Sequence, residues 1–232
     1  MSETVLVTGA NRGIGLEFVR HYAVQGATVY ACCRLPEAAG DLTHVAAGSE
    51  GRVHIQPLDV TNARHVANLA AVLGERPIDI LINNAGTYGQ DDAHFGNTDV
   101  AAWLQAFRIN TIAPVKIAEA LVENLARGER RVIANLSSKM GSIEDNGSGG
   151  SYVYRSSKAA LNMCVKSMAI DLAPRGIKVV AFHPGWVLTD MGGPNAEIDT
   201  RSSVAGMSRV IEGLSAEDSG RFLEYDGSVI PW

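Results

Sequence analysis

The stretch VLVTGANRGIG, residues 5–15, joins a short apolar run to a segment with helical spacing. Glycines at such a turn let the backbone bend tightly, and they let its N–H groups and the following helix N-terminus approach a pyrophosphate. Three glycines alone are a weak signal, because any tight turn can contain them. Their position after a first strand, inside a strand–helix–strand unit, predicts a dinucleotide-binding turn.

Short apolar runs alternate with helical segments along the whole chain. Helical spacing is clearest at Ile14, Phe18 and Tyr22, ahead of Gly26. Seven runs are predicted to be buried strands, at 4–8, 27–32, 52–58, 78–83, 131–136, 178–182 and 221–225. This alternation predicts an α/β fold with a doubly wound, Rossmann-type parallel sheet of about seven strands and helices on both faces. Since no repeat, linker or compositional break interrupts it, we expect one domain over residues 1–232.

The composition favours a small-molecule partner. The chain is 46% hydrophobic and 19% charged, its net charge is -5, and it has no basic run, which argues against nucleic acid. No apolar stretch reaches the roughly 18 residues of a membrane span, and since no basic region and cleavage site precede the first strand-like run, we expect no secretory leader. The three cysteines, Cys32, Cys33 and Cys164, show no metal-binding or disulfide spacing. We therefore expect a cytoplasmic protein without a bound metal.

Three long irregular segments, 87–97, 141–151 and 192–203, begin at or soon after strand ends. Because ligands bind at the carboxyl edge of open α/β sheets, these loops are candidate substrate surfaces or ordinary connections. Their apolar side chains are equally compatible with a substrate rim and with packing; they are Tyr88, Tyr152, Trp186 and Met191.

Tyr154 and Lys158 are four residues apart on a predicted helix, which places them on one face. A tyrosine that acts near neutral pH needs its pKa lowered well below about 10. A nearby ammonium and the positive charge of an oxidised nicotinamide can supply that effect. The spacing alone is common by chance. Upstream, however, a predicted strand ends in Ser137 and Ser138, which point to opposite faces, so only one can serve an adjacent site.

Taken in order, TGANRGIG, NNAG at 83–86, the Tyr154 to Lys158 pair and PGWVLT at 184–189 resemble the short-chain dehydrogenase/reductase superfamily. The closing FLEYDGSVIPW most resembles its C-factor and Sniffer-like carbonyl reductase branch. The resemblance covers essentially the whole chain. It implies hydride transfer between a nicotinamide dinucleotide and a carbonyl or alcohol substrate, and it leaves a homodimer or homotetramer open.

The resemblance also implies the roles of four catalytic residues. Tyr154 is the acid/base, Lys158 holds the cofactor ribose and lowers the tyrosine pKa, and Ser138 stabilises the carbonyl oxygen, with Ser137 as the fallback. The Asn110 carbonyl would bind a relay water. Pro114, four residues later, has no N–H to offer that carbonyl, which also fits a plain helix kink.

Cofactor contacts follow from the same resemblance. Asp59 would bind the adenine amine, although it also suits a helix N-cap. The turn 83–86 would support the adenosine side, or would simply allow close backbone approach. The full predicted set, besides Tyr154 and Lys158, is Thr8, Gly9, Asn11, Arg12, Gly13, Ile14, Gly15, Arg34, Asp59, Val60, Asn83, Ala85, Gly86, Pro184, Gly185, Val187 and Thr189.

The end of the second strand predicts a preference for NADP(H). An acidic side chain there would bind the ribose 2′-hydroxyl, but the chain has Cys33 followed by Arg34. In the family fold Arg12 lies on the same side, and two guanidinium groups suit a phosphate dianion.

Two other interpretations stay open at the level of sequence. The chain could be a dinucleotide-binding signalling or regulatory protein of the C-factor type with little turnover. A sugar epimerase or dehydratase is disfavoured, because no extra substrate domain follows. His183 lies at a strand end and is interpreted as structural rather than as a catalytic base.

Overall fold

Seven parallel strands form the centre of the computed structural model, which describes residues 2–232. The strands are β1 Thr4–Thr8, β2 Thr28–Cys33, β3 Val53–Pro57, β4 Ile80–Asn83, β5 Val132–Leu136, β6 Lys178–His183 and β7 Phe222–Glu224. Their order in the sheet is β3-β2-β1-β4-β5-β6-β7, and every neighbouring pair is parallel. The predicted fold class is confirmed, and each predicted strand lies within two residues of the observed one.

Seven α-helices connect the strands. They are α1 Gly13–Val24, α2 Gly40–Ala47, α3 Ala63–Leu73, α4 Val100–Phe107, α5 Ala113–Arg127, α6 Tyr152–Leu172 and α7 Thr200–Gly213. None of the helices within residues 2–232 is long and apolar enough to cross a membrane. α7 begins at Thr200, where Asp199 accepts a hydrogen bond from the Ser202 N–H, so the predicted irregular segment 192–203 ends earlier than expected.

The strands are apolar on both faces because both faces are covered, as is usual in parallel sheets. Alternate residues of β1 belong to different core layers. Val5 packs in the layer that contains Phe18 of α1 and Met207 of α7, whereas Leu6 packs in the layer that contains Leu121 of α5 and Leu161 of α6.

The strand order reverses between β1 and β4. At such a reversal the loops that follow the two strands diverge to opposite faces and leave a crevice at the carboxyl edge. The glycine turn after β1 and the NNAG turn after β4 both open at this point.

Candidate active site

The turn after β1 requires glycine at defined positions. Gly9 and Gly13 have φ values of +66° and +53°, which side chains rarely tolerate. A Cβ on Gly15 would lie 2.2 Å from the Gly9 carbonyl oxygen, so the first turn of α1 can approach β1 only without one.

The N-terminus of α1 is open to an anion. Arg12 occupies the N-cap position but makes no side-chain capping bond, and the first turn contains no acidic residue. Asn11 is exposed beside it and Ile14 is half-buried in the first turn. The uncapped N–H groups and the helix dipole together suit a phosphate group, so this cradle fits a dinucleotide.

Asn84 links the NNAG turn to the glycine turn by hydrogen bonds. Its side-chain nitrogen donates to the carbonyl oxygens of Thr8 (2.8 Å) and Gly9 (3.1 Å), and the Thr8 hydroxyl accepts from the N–H groups of Asn84 and Ala85, each at 3.0 Å. This residue is absent from the predicted set, although the doubled asparagine of NNAG was a signal for it.

The side chain of Asn83 lies in the sheet and not in the crevice. It is 3% exposed, and its amide nitrogen donates to Asn135 Oδ1 (2.9 Å) on β5. Ala85 and Gly86, in contrast, lie at the crevice surface. Only the backbone of Asn83 is therefore available to contact a cofactor.

Tyr154, Lys158 and Ser138 come together beneath the crevice. Tyr154 and Lys158 lie in the first turns of α6, and they are 8% and 5% exposed. Lys158 Nζ lies 5.7 Å from the centroid of the Tyr154 ring and donates to the Leu136 carbonyl oxygen at 2.7 Å. A Cβ on Gly86 would come within 3.7 Å of Lys158 Nζ, so the lysine faces the floor of the NNAG turn.

Burial controls the charges of this pair. It raises the pKa of Tyr154 to about 12, while the neighbouring Ser138 hydroxyl acts in the opposite direction and Tyr88 raises the pKa further. Burial also lowers the pKa of Lys158 to about 8, so the ammonium is mostly charged at neutral pH. In the chain by itself, desolvation thus outweighs the neighbouring polar groups, and the lowering of the tyrosine pKa by the ammonium together with an oxidised nicotinamide stays a prediction.

The two serines after β5 have different partners. Ser137 donates to Asn162 Oδ1 on α6 at 2.6 Å and is 3% exposed. Ser138 accepts a hydrogen bond from the Met140 N–H at 3.2 Å and is the one beside Tyr154. The geometry favours Ser138 over Ser137 for contact with a substrate oxygen.

Asn110 lies in a π-helical turn, Arg108–Ile112, between α4 and α5. The Ala113 N–H bonds to the Arg108 carbonyl, five residues back. The Asn110 side chain accepts from the Thr87 N–H (2.9 Å) and donates to the Thr87 carbonyl (2.8 Å) and to Ser157 Oγ (2.9 Å). A π-turn, a feature frequent at functional sites, therefore separates α4 from α5 shortly before Pro114.

The loop after β6 faces the glycine turn. A Cβ on Gly13 would lie 3.3 Å from Thr189 Cγ2. The Thr189 hydroxyl donates to the Val187 carbonyl (3.3 Å) and accepts from the Gly192 N–H (3.1 Å). Pro184 and Gly185 are half-buried at the start of this loop. It thus closes the crevice opposite α1.

Arg12 and Arg34 both lie at the surface: Arg34 follows β2 directly, and Arg12 lies in the turn whose Ala10 N–H bonds to the Cys32 carbonyl of β2. Arg12 forms an ion pair with Asp190 at 2.6 Å, in which the two side chains are 69% and 77% exposed. Arg34 is exposed and close enough to Asp59 to lower its pKa slightly. Because an exposed ion pair contributes only about 0–1 kcal/mol, a stronger anion can displace Asp190 from Arg12.

Asp59 is not a helix cap. It accepts from the Thr61 N–H (2.9 Å) and hydroxyl (2.7 Å), and these bonds lower its pKa most. Asn62 caps α3 by accepting from the Arg64 N–H at 3.0 Å. Val60 is half-buried beside Asp59. The N-cap alternative for Asp59 is therefore wrong.

His183 lies at the end of β6, 3.7 Å from Glu224 Oε1. Burial and the nearby Lys139 lower the pKa of His183 to about 4. The imidazole is neutral at physiological pH, which agrees with a structural role.

Comparison with known proteins gives one family. Residues 3–199 match the family model for short chain dehydrogenase. The C-signal of Myxococcus xanthus is 49% identical over 156 residues, which cover 67% of this chain and 93% of that protein. Carbonyl reductase Sniffer of D. melanogaster matches with a TM-score of 0.93 and 33% identity, over 100% of each chain. NADPH-bound carbonyl reductase from chicken fatty liver matches with a TM-score of 0.92 and 36% identity, over 100% of this chain and 99% of that one.

Proposed function

The chain belongs to the short-chain dehydrogenase family, in the branch of the C-signal and Sniffer-like carbonyl reductases, and from this premise we propose that it is an NADP(H)-dependent carbonyl reductase with Tyr154 as its proton donor. The observation that carries the proposal is the convergence of Tyr154, Lys158 and Ser138 beside the NNAG turn.

The residues of the crevice suit the cofactor along its length. The glycine turn and the N-terminus of α1 would hold the pyrophosphate, and Val187 and Thr189 would bind the nicotinamide carboxamide. Lys158 lies near the exposed Gly86, where it would reach the ribose. When bound, NADPH supplies the hydride.

The polar side chains would stabilise the carbonyl oxygen and donate the proton to it. Ser138 would donate a hydrogen bond to the carbonyl oxygen, which gains negative charge during reduction. Tyr154 would protonate that oxygen. Because its pKa is raised, the phenol is protonated at neutral pH and can act as the acid. The charged Lys158, above the same ring, would favour the phenolate that remains. The main-chain carbonyl of Asn110 would bind a water molecule, and this water would return a proton to the site.

Burial of Lys158 is the main argument against a signalling protein without turnover. Removing an ammonium group from water is costly unless it is paired, and within residues 2–232 Lys158 donates its hydrogen bond to the Leu136 carbonyl and has no carboxylate partner. A module that only binds a dinucleotide has no need of a buried lysine and tyrosine next to a serine hydroxyl. We therefore place carbonyl reduction ahead of the C-signal type of role.

The test is NADPH oxidation by the purified protein with a panel of ketones, aldehydes and quinones. We expect NADPH consumption that depends on the carbonyl compound and forms one equivalent of alcohol. Tight NADPH binding with no consumption across the panel would favour the signalling alternative. The same panel with NADH reports the cofactor preference.

The serine assignment gives a prediction with a matched pair of variants. Ser138→Ala is expected to lower kcat by about a hundredfold, the scale of one lost oxyanion-stabilising donor, and to lower the free energy of unfolding by about 1 kcal/mol, because the Met140 N–H loses its acceptor. Ser137→Ala is expected to keep most of kcat but to lower the free energy of unfolding by about 1–3 kcal/mol, because Asn162 Oδ1 loses its buried donor. Kinetics and urea unfolding of both variants check the prediction. The reverse ranking in kcat would move the catalytic role to Ser137.

A further inference from the structure

We propose that Tyr88 is a positioning residue for Tyr154: its ring, stacked on the Tyr154 ring, holds the phenol in the orientation that proton donation requires. The proposal rests on the proposed function, in which Tyr154 is the proton donor.

The contact between the two rings is close and nearly parallel. Their centroids are 4.7 Å apart and their planes differ by 19°, which is within the range of favourable aromatic stacking. The Lys158 ammonium lies 5.7 Å from the centroid of the same Tyr154 ring. The phenol is thus held by a neighbouring aromatic ring and by a neighbouring cation.

Tyr88 is itself held at both ends. Its hydroxyl lies 3.0 Å from Ser151 Oγ, and Ser151 has a left-handed φ of 46° directly before α6. The backbone of Thr87, the preceding residue, is bonded on both its N–H and carbonyl by the Asn110 side chain. The Tyr88 ring therefore has little freedom to leave the Tyr154 ring.

Gly89 lets this segment approach α6. Its φ is +85°, and a Cβ there would lie 2.6 Å from Val153 Cγ1, in the first turn of the helix. Residues 87–89 consequently form a bracket against the helix turn that carries Tyr154. Any side chain at position 89 would push the bracket outward.

Proton donation is sensitive to this arrangement. A general acid must lie within hydrogen-bond reach of the atom that it protonates, and a displacement of about 1 Å can cost roughly a hundredfold in rate. The polar and charged groups that face Tyr154 are Ser138 after β5, Lys158 on α6 and the Tyr88 hydroxyl. Loss of the Tyr88 ring would free the phenol to rotate and would open one of its sides to water.

The experiment compares Tyr88→Leu with Tyr88→Phe. We expect Tyr88→Leu to lower kcat by about tenfold or more, since misorientation of a reacting group has costs of that order. The alkaline decline of reductive kcat should move to lower pH in Tyr88→Leu, because burial is the main cause of the raised pKa of Tyr154 and a leucine would cover less of the phenol than the stacked ring does. Tyr88→Phe, which keeps the ring, should retain most of kcat and the wild-type pH profile. The NADPH Kd should be unchanged in both.

Two further variants keep the test decisive. Gly89→Ala keeps both tyrosine side chains but displaces the bracket, and with it the Tyr88 ring, so it should reproduce the fall in kcat and the pH shift, even if Tyr88→Leu folds poorly. Tyr30→Leu removes a stacked aromatic ring from β2, which is separated from the strands under α6 by β1 and β4, and it should leave kcat unchanged.

Several outcomes would overturn the proposal. Wild-type kcat and pH profile in Tyr88→Leu would do so, as would equal losses in the Leu and Phe variants, or a change confined to KM. A Tyr154→Phe variant separates the two levels of inference. If it is inactive while Tyr88→Leu behaves as wild type, only the role of Tyr88 fails. If Tyr154→Phe stays active, the proposed function itself fails.

Discussion

Tyr154→Phe is expected to abolish turnover while NADPH still binds. The substitution removes only the phenol hydroxyl, and the ring can keep its stacking on Tyr88 and its place beside Lys158. Since a positioned general acid contributes about 10²–10⁴-fold, kcat should fall by at least a hundredfold. NADPH oxidation with the best carbonyl substrate gives kcat, and fluorescence titration gives the NADPH Kd.

A matched control removes a hydroxyl elsewhere. Tyr30 lies in β2, is 6% exposed and stacks on His54, far along the sheet from α6. Tyr30→Phe should retain wild-type kcat and NADPH binding. If Tyr154→Phe keeps more than about a tenth of kcat, the loss is smaller than general acid catalysis supplies, and another group donates the proton.

The architecture was predictable because it depends on patterns that single segments carry. A parallel sheet covered on both faces needs continuous apolar strands, and runs such as 78–83 and 131–136 could be recognised one at a time. The pairing of Ser138 with Tyr154 was predictable for a different reason, because the resemblance to the short-chain dehydrogenases implies both roles, and the structure brings the two side chains together.

Other features depend on contacts that no single segment records. The π-turn Arg108–Ile112 contains Asn110, whose side chain bonds to Thr87 and Ser157, 23 and 47 residues away in the sequence. The raised pKa of Tyr154 arises from burial by parts of the chain distant in sequence, among them Tyr88. The ion pair between Arg12 and Asp190 joins the glycine turn after β1 to the loop after β6. Such long-range contacts needed the structure.

Arg12→Ala and Arg34→Ala are each expected to weaken NADPH binding by about tenfold to a hundredfold and to leave NADH binding nearly unchanged. A hydrogen bond to a charged group contributes about 1.5–3 kcal/mol, which corresponds to that range of Kd. Arg12 can leave Asp190 at little cost, because both side chains of the pair are exposed. Arg20→Ala is the control, since Arg20 is a surface arginine of α1 paired with Glu17.

Cys33→Asp combined with Arg34→Ala should go further and turn the preference toward NADH. The new carboxylate would accept a hydrogen bond from the ribose 2′-hydroxyl and would repel a 2′-phosphate, while the lost guanidinium no longer attracts one. Cys33 is 2% exposed at the end of β2, so the added carboxylate must point outward to stay hydrated. Urea unfolding of the variant should therefore be measured beside the kinetics, to show that the protein remains folded. The decisive measurement is kcat/KM with NADPH and with NADH for the wild type, each single variant and the double variant. Equal use of both cofactors by the wild type, or single variants that weaken both equally, would show that these arginines do not recognise the phosphate.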